Sequence, residues 1–392
     1  MISYQILQIP FRRLGCAAVL ALSVVAFATP AKAIETIAKE AILIDAETGA
    51  VLFDKNASTP MAPASMSKLM TIYMVLERLR DGRLSLDDTF KVSENAWRKG
   101  GAKSGSSTMF LEPGKRVRVE DLLRGIIIQS GNDACIVIAE GLSGSEGAFA
   151  DEMNERAQQM GMYESTFINA TGWPDPDHKM SPKDLALLAK RTILDFPEFY
   201  SYYSETSFTY NGIKQNNRNP LLYKGMGADG LKTGHTNSSG YGLVASATRG
   251  DRRLILVVNG LPTKKDRARV PERLIEWGFR EFNNYDLLKA GEVIEEAQVW
   301  LGDKPTVPLI VVDDLTLTLP KKSRRGMKVK VTYDGPIPAP IKKGDRLATL
   351  SIITADKDPV DIPLIAADDV NQLGLLGRLG AAFQYILLGG SI

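Results

Sequence analysis

The chain has 392 residues, 44% of them hydrophobic and 24% charged, which excludes disordered and fibrous classes and is long enough for two or three domains. Setting aside residues 1–33 removes Arg12, Arg13 and Lys32 and no acid, so the formal charge of +2 becomes −1 and nucleic acid is disfavoured as a partner. With only His178 and His235 as histidines, a zinc site built from protein ligands is poorly supported, and neither a metal nor a cofactor is expected.

Residues 1–33 have the layout of a cleaved secretory signal. Arg12-Arg13 precede an apolar run over 14–27, and Ala31-Lys32-Ala33 offers small residues for cleavage after Ala33. Leu14-Gly15-Cys16 invites a lipoprotein reading, but no apolar run stands before it. Cleavage leaves Cys135 as the only cysteine, so no intramolecular disulfide can form; it reads as a buried small apolar residue on the helix after Gly131.

Two short apolar strands, 41–45 and 50–54, flank Glu47-Thr48-Gly49 and predict a hairpin. The stretch 62–80 then predicts a buried helix: Pro63 suits its first turn, Ile72, Met74, Val75, Leu76 and Leu79 continue it, and Asp81-Gly82 stops it. Ser65 and Lys68, three residues apart near its N-terminal end, share one face. A serine hydroxyl is a poor nucleophile until a base takes its proton, and a neutral lysine can be that base. A free lysine has a pKa of about 10.4, so holding it neutral near pH 7 costs about 4.6 kcal/mol. Burial, a helix N-terminus and a second cation all lower that pKa, so another cation is expected nearby.

Residues 93–118 are polar and glycine-rich, with Gly100-Gly101 and Ser104-Gly105-Ser106-Ser107, and read as a long functional loop. A second apolar helix spans 119–130 and ends in Gln129-Ser130-Gly131-Asn132-Asp133; further helices follow over 134–142 and 147–161. Residues 167–177 are turn-rich, and His178 reads as a surface loop residue. Ser181 as N-cap and Pro182 in the first turn announce a helix to about residue 193. Residues 230–235 open a block in which 241–248 and 254–259 alternate like two antiparallel strands, and 267–279 is again helical. The first domain thus has strands at both sequence ends and helices between.

Composition shifts near Asn283-Asn284. Strand-like runs then recur at 298–301, 309–312, 315–319, 328–332, 347–352 and 361–365, predicting a small all-β domain, a spacer or interaction module with no catalytic cluster. The expected organisation is a signal over 1–33, a catalytic domain over 34–284, a β domain over 285–370 and a tail over 371–392. In the tail, Leu376, Leu379, Phe383 and Ile386 form one stripe, which favours an amphipathic helix lying at a membrane interface over a spanning one.

Three short motifs stand in order: Ser65-Met66-Ser67-Lys68, Ser130-Gly131-Asn132 and Lys232-Thr233-Gly234. Chance alone places roughly one or two S-x-x-K matches in a chain this long, but the three together, at a helix start, a turn between helices and a strand start, are specific. They resemble the S-x-x-K, S-x-N and K-T-G elements of penicillin-binding proteins and serine β-lactamases. Within that superfamily the chain resembles the low-molecular-mass D-alanyl-D-alanine carboxypeptidases over nearly all of its mature length, including Asp229 to Thr236, Trp277-Gly278-Phe279-Arg280, the β domain and the tail.

The resemblance implies an α+β, penicillin-recognising domain with helices on an antiparallel sheet, then a β-sandwich-like domain that stands the site off the membrane. It implies that Ser65 attacks the carbonyl between two terminal D-alanines of a peptidoglycan stem peptide, that Lys68 is the base, and that β-lactams acylate the same serine. Lys232 is then the second cation, expected to lower Lys68 and to favour the substrate carboxylate. Ser130 relays a proton to the leaving amine and Asn132 bonds the substrate amide. The oxyanion hole is expected from the backbone N–H groups of Ser65 and His235, the latter named for its backbone and not as a base. Arg267, with Thr233, resembles the family's receiver of the terminal carboxylate; Arg269 and Lys265 beside it leave that choice open. The implied location is the periplasmic face of the inner membrane, peripheral, through the C-terminal helix. Two rivals stand beside this reading. One is a serine β-lactamase, for which Glu164 is the candidate water-activating residue; the other is a non-catalytic murein-binding scaffold, against which Ser65, Lys68, Ser130 and Lys232 argue.

Overall fold

A computed structural model describes residues 34–354 and 357–380. The chain forms two compact units that divide between Glu281 and Phe282. The expected leader, and the tail beyond Gly380, lie outside the described residues.

In the larger unit β1 (Glu40–Asp45) and β2 (Val51–Lys55) form the expected hairpin. Asp45 shapes its turn by accepting the backbone N–H of Glu47 at 3.1 Å and of Thr48 at 3.2 Å. A 3-10 turn, Ala64–Ser67, leads into α1 (Lys68–Arg80). Lys68 to Leu76 are nine consecutive buried residues, so α1 runs through the interior rather than along a surface. Leu69, Met70, Ile72 and Val75 are fully buried, and each contributes about 1.5–3 kcal/mol through burial.

The expected loop over 93–118 is structured in part, and its residues 105–115 belong to no helix or strand. It contains α2 (Glu94–Gly100), between the short paired strands β3 (Thr89–Lys91) and β4 (Arg116–Arg118). Ser93 caps α2 by accepting the N–H of Ala96 at 2.9 Å. Gly100, which reads as a loop residue, is there for packing: a Cβ would lie 2.2 Å from the backbone nitrogen of Asp133. Next come α3 (Val119–Ile127), α4 (Asn132–Ser143) and α5 (Glu146–Gln159). Cys135 is buried on α4, as expected. Then α6 (Pro182–Asp195) starts at its Ser181 cap, which accepts the N–H of Asp184 at 3.1 Å.

A hairpin that the sequence reading lacks, β5 (Ser207–Tyr210) with β6 (Ile213–Asn216), precedes β7 (Ala228–Thr236), β8 (Gly240–Arg249), β9 (Arg252–Leu261) and α7 (Lys264–Glu281). The sheet order is β2-β1-β9-β8-β7, antiparallel throughout, so β7 with its Lys232-Thr233-Gly234 is an edge strand.

In the smaller unit β10 (Phe282–Leu288) runs through Asn283 and Asn284. The strands β11 (Val293–Trp300), β12 (Thr306–Ile310), β13 (Leu315–Pro320), β14 (Lys328–Thr332), β15 (Ile337–Pro338), β16 (Arg346–Thr354) and β17 (Lys357–Ala366) follow. β10 pairs with β13, and the rest form a sheet in the order β14-β16-β17-β12-β11-β15. Along β16, Ala348, Leu350 and Ile352 are buried at a period of two, and Ala348 and Leu350 share one core cluster with Ala297, Val307, Leu309 and Leu364. Both units fit the expected α+β domain followed by an all-β one.

A final helical stretch is described over 375–380, with Leu375, Leu376 and Leu379 exposed. Among the described residues no helix is long and apolar enough to cross a membrane.

Candidate active site

Ser65 lies in the 3-10 turn, half-buried, and Lys68 opens α1 one turn later. Lys68 Nζ stands 2.9 Å from Ser65 Oγ and also bonds the carbonyl of Thr171. The turn is pressed onto β7: a Cβ on Gly234 would lie 2.8 Å from the carbonyl oxygen of Pro63, so only glycine lets Lys232-Thr233-Gly234 come this close to the serine.

Ser130 holds a positive φ of 61° between α3 and α4. Its hydroxyl accepts a hydrogen bond of 2.9 Å from Lys232 Nζ. Asp133 anchors this corner with its buried carboxylate. One oxygen accepts Met109 N–H and Ala134 N–H, both at 3.0 Å; the other accepts Thr108 Oγ1 at 2.6 Å and Leu111 N–H at 3.1 Å. Asn132 is buried, its backbone N–H donating to Ser107 O at 2.7 Å, and its side-chain oxygen has no partner among the described residues.

Ser65, Ser107, Ser130, Arg218, Thr233, Gly234, His235, Tyr241, Lys264 and Arg267 line a cleft of about 290 Å³. No carboxylate is among them, and neither Arg218 nor Arg267 has an acidic ion-pair partner among the described residues. Arg267 is buried in the first turns of α7, its guanidinium 5.3 Å from the Tyr241 ring centre. Arg269 is exposed and paired with Asp266 at 2.9 Å, and Lys265 is exposed, so the geometry separates Arg267 from both neighbours. Beside the turn that carries Ser65, a hollow of about 360 Å³ is lined among others by Pro63, Ala64, Gly172, Trp173 and Thr236.

Lys68 is lowered to about 8, chiefly by burial; Cys135, Glu146 and Asp133 act against this and Arg218 adds to the lowering. Lys232 is held well below the ordinary lysine value, first by burial and then by Lys68 and Arg218. The sequence reading assigns Lys232 the task of lowering Lys68. In the structure burial does most of it and the cation that adds to it is Arg218, which the reading lacks; that guanidinium opens onto the cleft, so water and salt weaken its effect.

A sequence profile of the D-alanyl-D-alanine carboxypeptidase family matches residues 26–263, and one of the penicillin-binding protein 5 C-terminal domain matches 282–372. The chain belongs to the D-alanyl-D-alanine carboxypeptidase family. It is 40% identical over 341 residues to the D-alanyl-D-alanine carboxypeptidase DacC of Escherichia coli (strain K12), covering 86% of this chain and 85% of that one. Penicillin binding protein 5 from Haemophilus influenzae superposes with a TM-score of 0.78 at 38% identity, covering 88% of this chain and all of that one. The carboxypeptidase DacD from Francisella tularensis gives 0.79 at 30% identity, covering 90% and 97%.

Within this family member the structure gathers Ser65, Lys68, Ser130, Asn132, Lys232, Thr233, His235 and Arg267 around one cleft or its walls. His178 does not line that cleft but belongs to the wall of the neighbouring hollow, and it is buried rather than a surface loop residue. It is buried edge-on against Phe167, its Nδ1 accepts the N–H of Ile168 at 3.2 Å, and burial pushes it down to about 4. Glu164 does not line the cleft; its backbone N–H donates to Asp184 at 3.0 Å.

Arg218 and Thr171 are missing from the sequence reading. Arg218 sits in a polar loop with no period. It is held there by buried Asn217, which donates to the carbonyls of Tyr203 and Glu205, and by Asn219, which donates to Gly230 O at 2.7 Å. The doubled asparagines were the one signal available. Thr171 contributes a backbone carbonyl, which no residue type announces.

Proposed function

We propose that the protein is a serine D,D-carboxypeptidase that removes the terminal D-alanine from a peptidoglycan stem peptide ending in D-Ala-D-Ala. The observation that carries this reading is a buried lysine, lowered to about 8, with its nitrogen 2.9 Å from Ser65 Oγ. Ser65 Oγ attacks the carbonyl carbon between the two D-alanines as Lys68 Nζ takes its proton. The oxyanion is received by the backbone N–H groups of Ser65 and of His235 on the edge strand β7, where the substrate backbone can also add as an extra strand. Ser130 passes its hydroxyl proton to the leaving nitrogen and is resupplied by Lys232 or by protonated Lys68; the C–N bond breaks and D-alanine leaves. Water then attacks the acyl-enzyme and frees Ser65.

The unpartnered Asn132 oxygen accepts a substrate amide N–H. The leaving residue's carboxylate enters the cationic cleft at Arg267 and Thr233, with Arg218 adding its charge, and the stem leaves toward the hollow at Trp173. Arg267→Ala should lower kcat/KM for a pentapeptide by roughly 10- to 150-fold, the loss of one charge-assisted hydrogen bond. Arg269→Ala should change little, because that side chain is exposed and already paired. Equal losses in both variants would remove the assignment of Arg267.

β-Lactams acylate Ser65 in the same geometry. Without a carboxylate in the cleft lining to activate water, the adduct is long-lived, which favours a penicillin-inhibited peptidase over a lactamase. Incubation with a labelled penicillin followed by intact-mass measurement should show one adduct, absent in Ser65→Ala, together with D-alanine release that the same variant lacks. Rapid turnover of the drug would instead mark a lactamase, and no adduct a scaffold.

We further propose that residues 1–33 are a cleaved export signal and that residues 371–392 hold the enzyme on the periplasmic face of the inner membrane as an interfacial helix. Exposed Leu375, Leu376 and Leu379 at its start support this. Deleting 371–392 should give a soluble enzyme with unchanged D-alanine release; a truncated protein still sedimenting with membranes would sink the anchor.

A further inference from the structure

An uncharged amine has two hydrogens and one lone pair. If one hydrogen is committed to the carbonyl of Thr171, rotation about the Lys68 Cε–Nζ bond is restricted, and the lone pair can be held toward Ser65 Oγ at 2.9 Å. Thr171 belongs to no helix or strand. It lies in the connection between α5 and α6, and a carbonyl in irregular backbone points at a neighbour only if something fixes the turn.

Asn169 fixes it. Its Oδ1 accepts three successive backbone N–H groups, those of Thr171 at 3.1 Å, Gly172 at 2.8 Å and Trp173 at 3.1 Å, and the Thr171 hydroxyl at 2.9 Å. Its Nδ2 donates back to Trp173 O at 3.1 Å, so one side-chain amide clasps both ends of the turn. The turn is then locked onto the elements that carry the nucleophile and the base. Gly172 has φ +72°, and a Cβ there would lie 2.0 Å from Ala64 O. Thr71, one turn beyond Lys68 on α1, donates to Ala170 O at 2.7 Å, and Ala170 N–H donates to Glu146 at 3.2 Å.

We propose that Asn169 is a positioning residue for the general base: by clasping the turn 169–173 it aims the Thr171 carbonyl at Lys68 Nζ, and so aims the lysine lone pair at Ser65. This rests on the reading of Lys68 as the base. Asn169 touches neither the substrate nor the reacting atoms; it acts through Thr171.

The test uses the full chain with Asn169→Ala and Asn169→Asp. It follows the rate of acylation by a fluorescent penicillin over roughly pH 6 to 10, with kcat and KM for D-alanine release. Asn169→Ala should slow acylation by about 10- to 100-fold, mainly through kcat with KM within about twofold, because the base is displaced and the binding cleft is not. Asn169→Asp keeps an oxygen for the three N–H groups and should recover most of that rate. Its added negative charge should also move the onset of acylation to higher pH, since Glu146, Asp133, Cys135, Arg218 and Lys232 around Lys68 are unaltered. A folded Asn169→Ala acylated at the parent rate, or an Asn169→Asp with neither recovery nor a moved onset, would overturn the proposal. Should the alanine variant fail to fold, the nearly isosteric aspartate variant decides alone through its pH profile. Failure of the underlying reading shows separately, as a Lys68→Gln variant that still acylates at the parent rate.

Discussion

Lys68→Gln should lower the acylation of Ser65 by about a thousandfold or more, equivalent to about 4 kcal/mol of transition-state stabilisation, in a protein that still folds. Glutamine keeps a donor for the Thr171 carbonyl and approximate length but has no lone pair basic enough to take the serine proton. The pH profile makes the test sharper. With Lys68 lowered to about 8, the parent enzyme should acylate faster as pH rises through about 8, and below that value each unit of pH should cost about tenfold, because a protonated lysine accepts nothing. In Lys68→Gln the residual rate should be flat across the same range. A residual rate that retained the rise near pH 8 would assign the titrating base to another group.

The second large effect is expected at Asp133, a residue far less conspicuous in the sequence than the motifs around it. Asp133→Ala should cost about 3–5 kcal/mol of stability, because four donors lose a buried, charged acceptor at once. For a unit of this size that is a fall in Tm of roughly 6–20 °C. The same carboxylate ties residues 108–111 to the start of α4, so Ser130 and Asn132 should move with it and acylation should fall in molecules that remain folded. Asp133→Asn, which replaces one acceptor with a donor, should fall between the two. An alanine variant melting with the parent would mean that the network carries no net energy.

What the sequence makes legible here is local. The buried helix, the cap at Ser181 and the three motifs each depend on residues within one or two turns of each other. The helix and the cap form as expected, although the α-helix itself opens at Lys68 after a 3-10 turn, and Lys232-Thr233-Gly234 lies in the middle of β7 rather than at its start. The parts that escape are those fixed across the chain. Arg218 is held in the cleft wall through asparagines bonded to Tyr203, Glu205 and Gly230, and none of those pairings has a period. Residues 93–118 look like a loop because they carry four glycines, of which Gly105 and Gly114 do take the left-handed backbone of turns, whereas Gly100 reports close packing against the start of α4. His178 looks exposed because its sequence neighbours are polar, whereas Phe167 and the N–H of Ile168 enclose it. The lowering of Lys68 was foreseeable in direction and in its main cause, the depth of α1 in the interior, whereas the cation that adds to it, Arg218, was not.

That depth has a thermodynamic consequence. An amine whose pKa drops from about 10.4 in the unfolded chain to about 8 in the native one opposes folding below pH 8 by about 3 kcal/mol, and the opposition fades as pH climbs from 8 toward 10.4. The native state is therefore under tension from its own reactive group. A neutral, similarly shaped Lys68→Met protein should be inert toward penicillin yet more resistant to heat near neutral pH than the enzyme it came from.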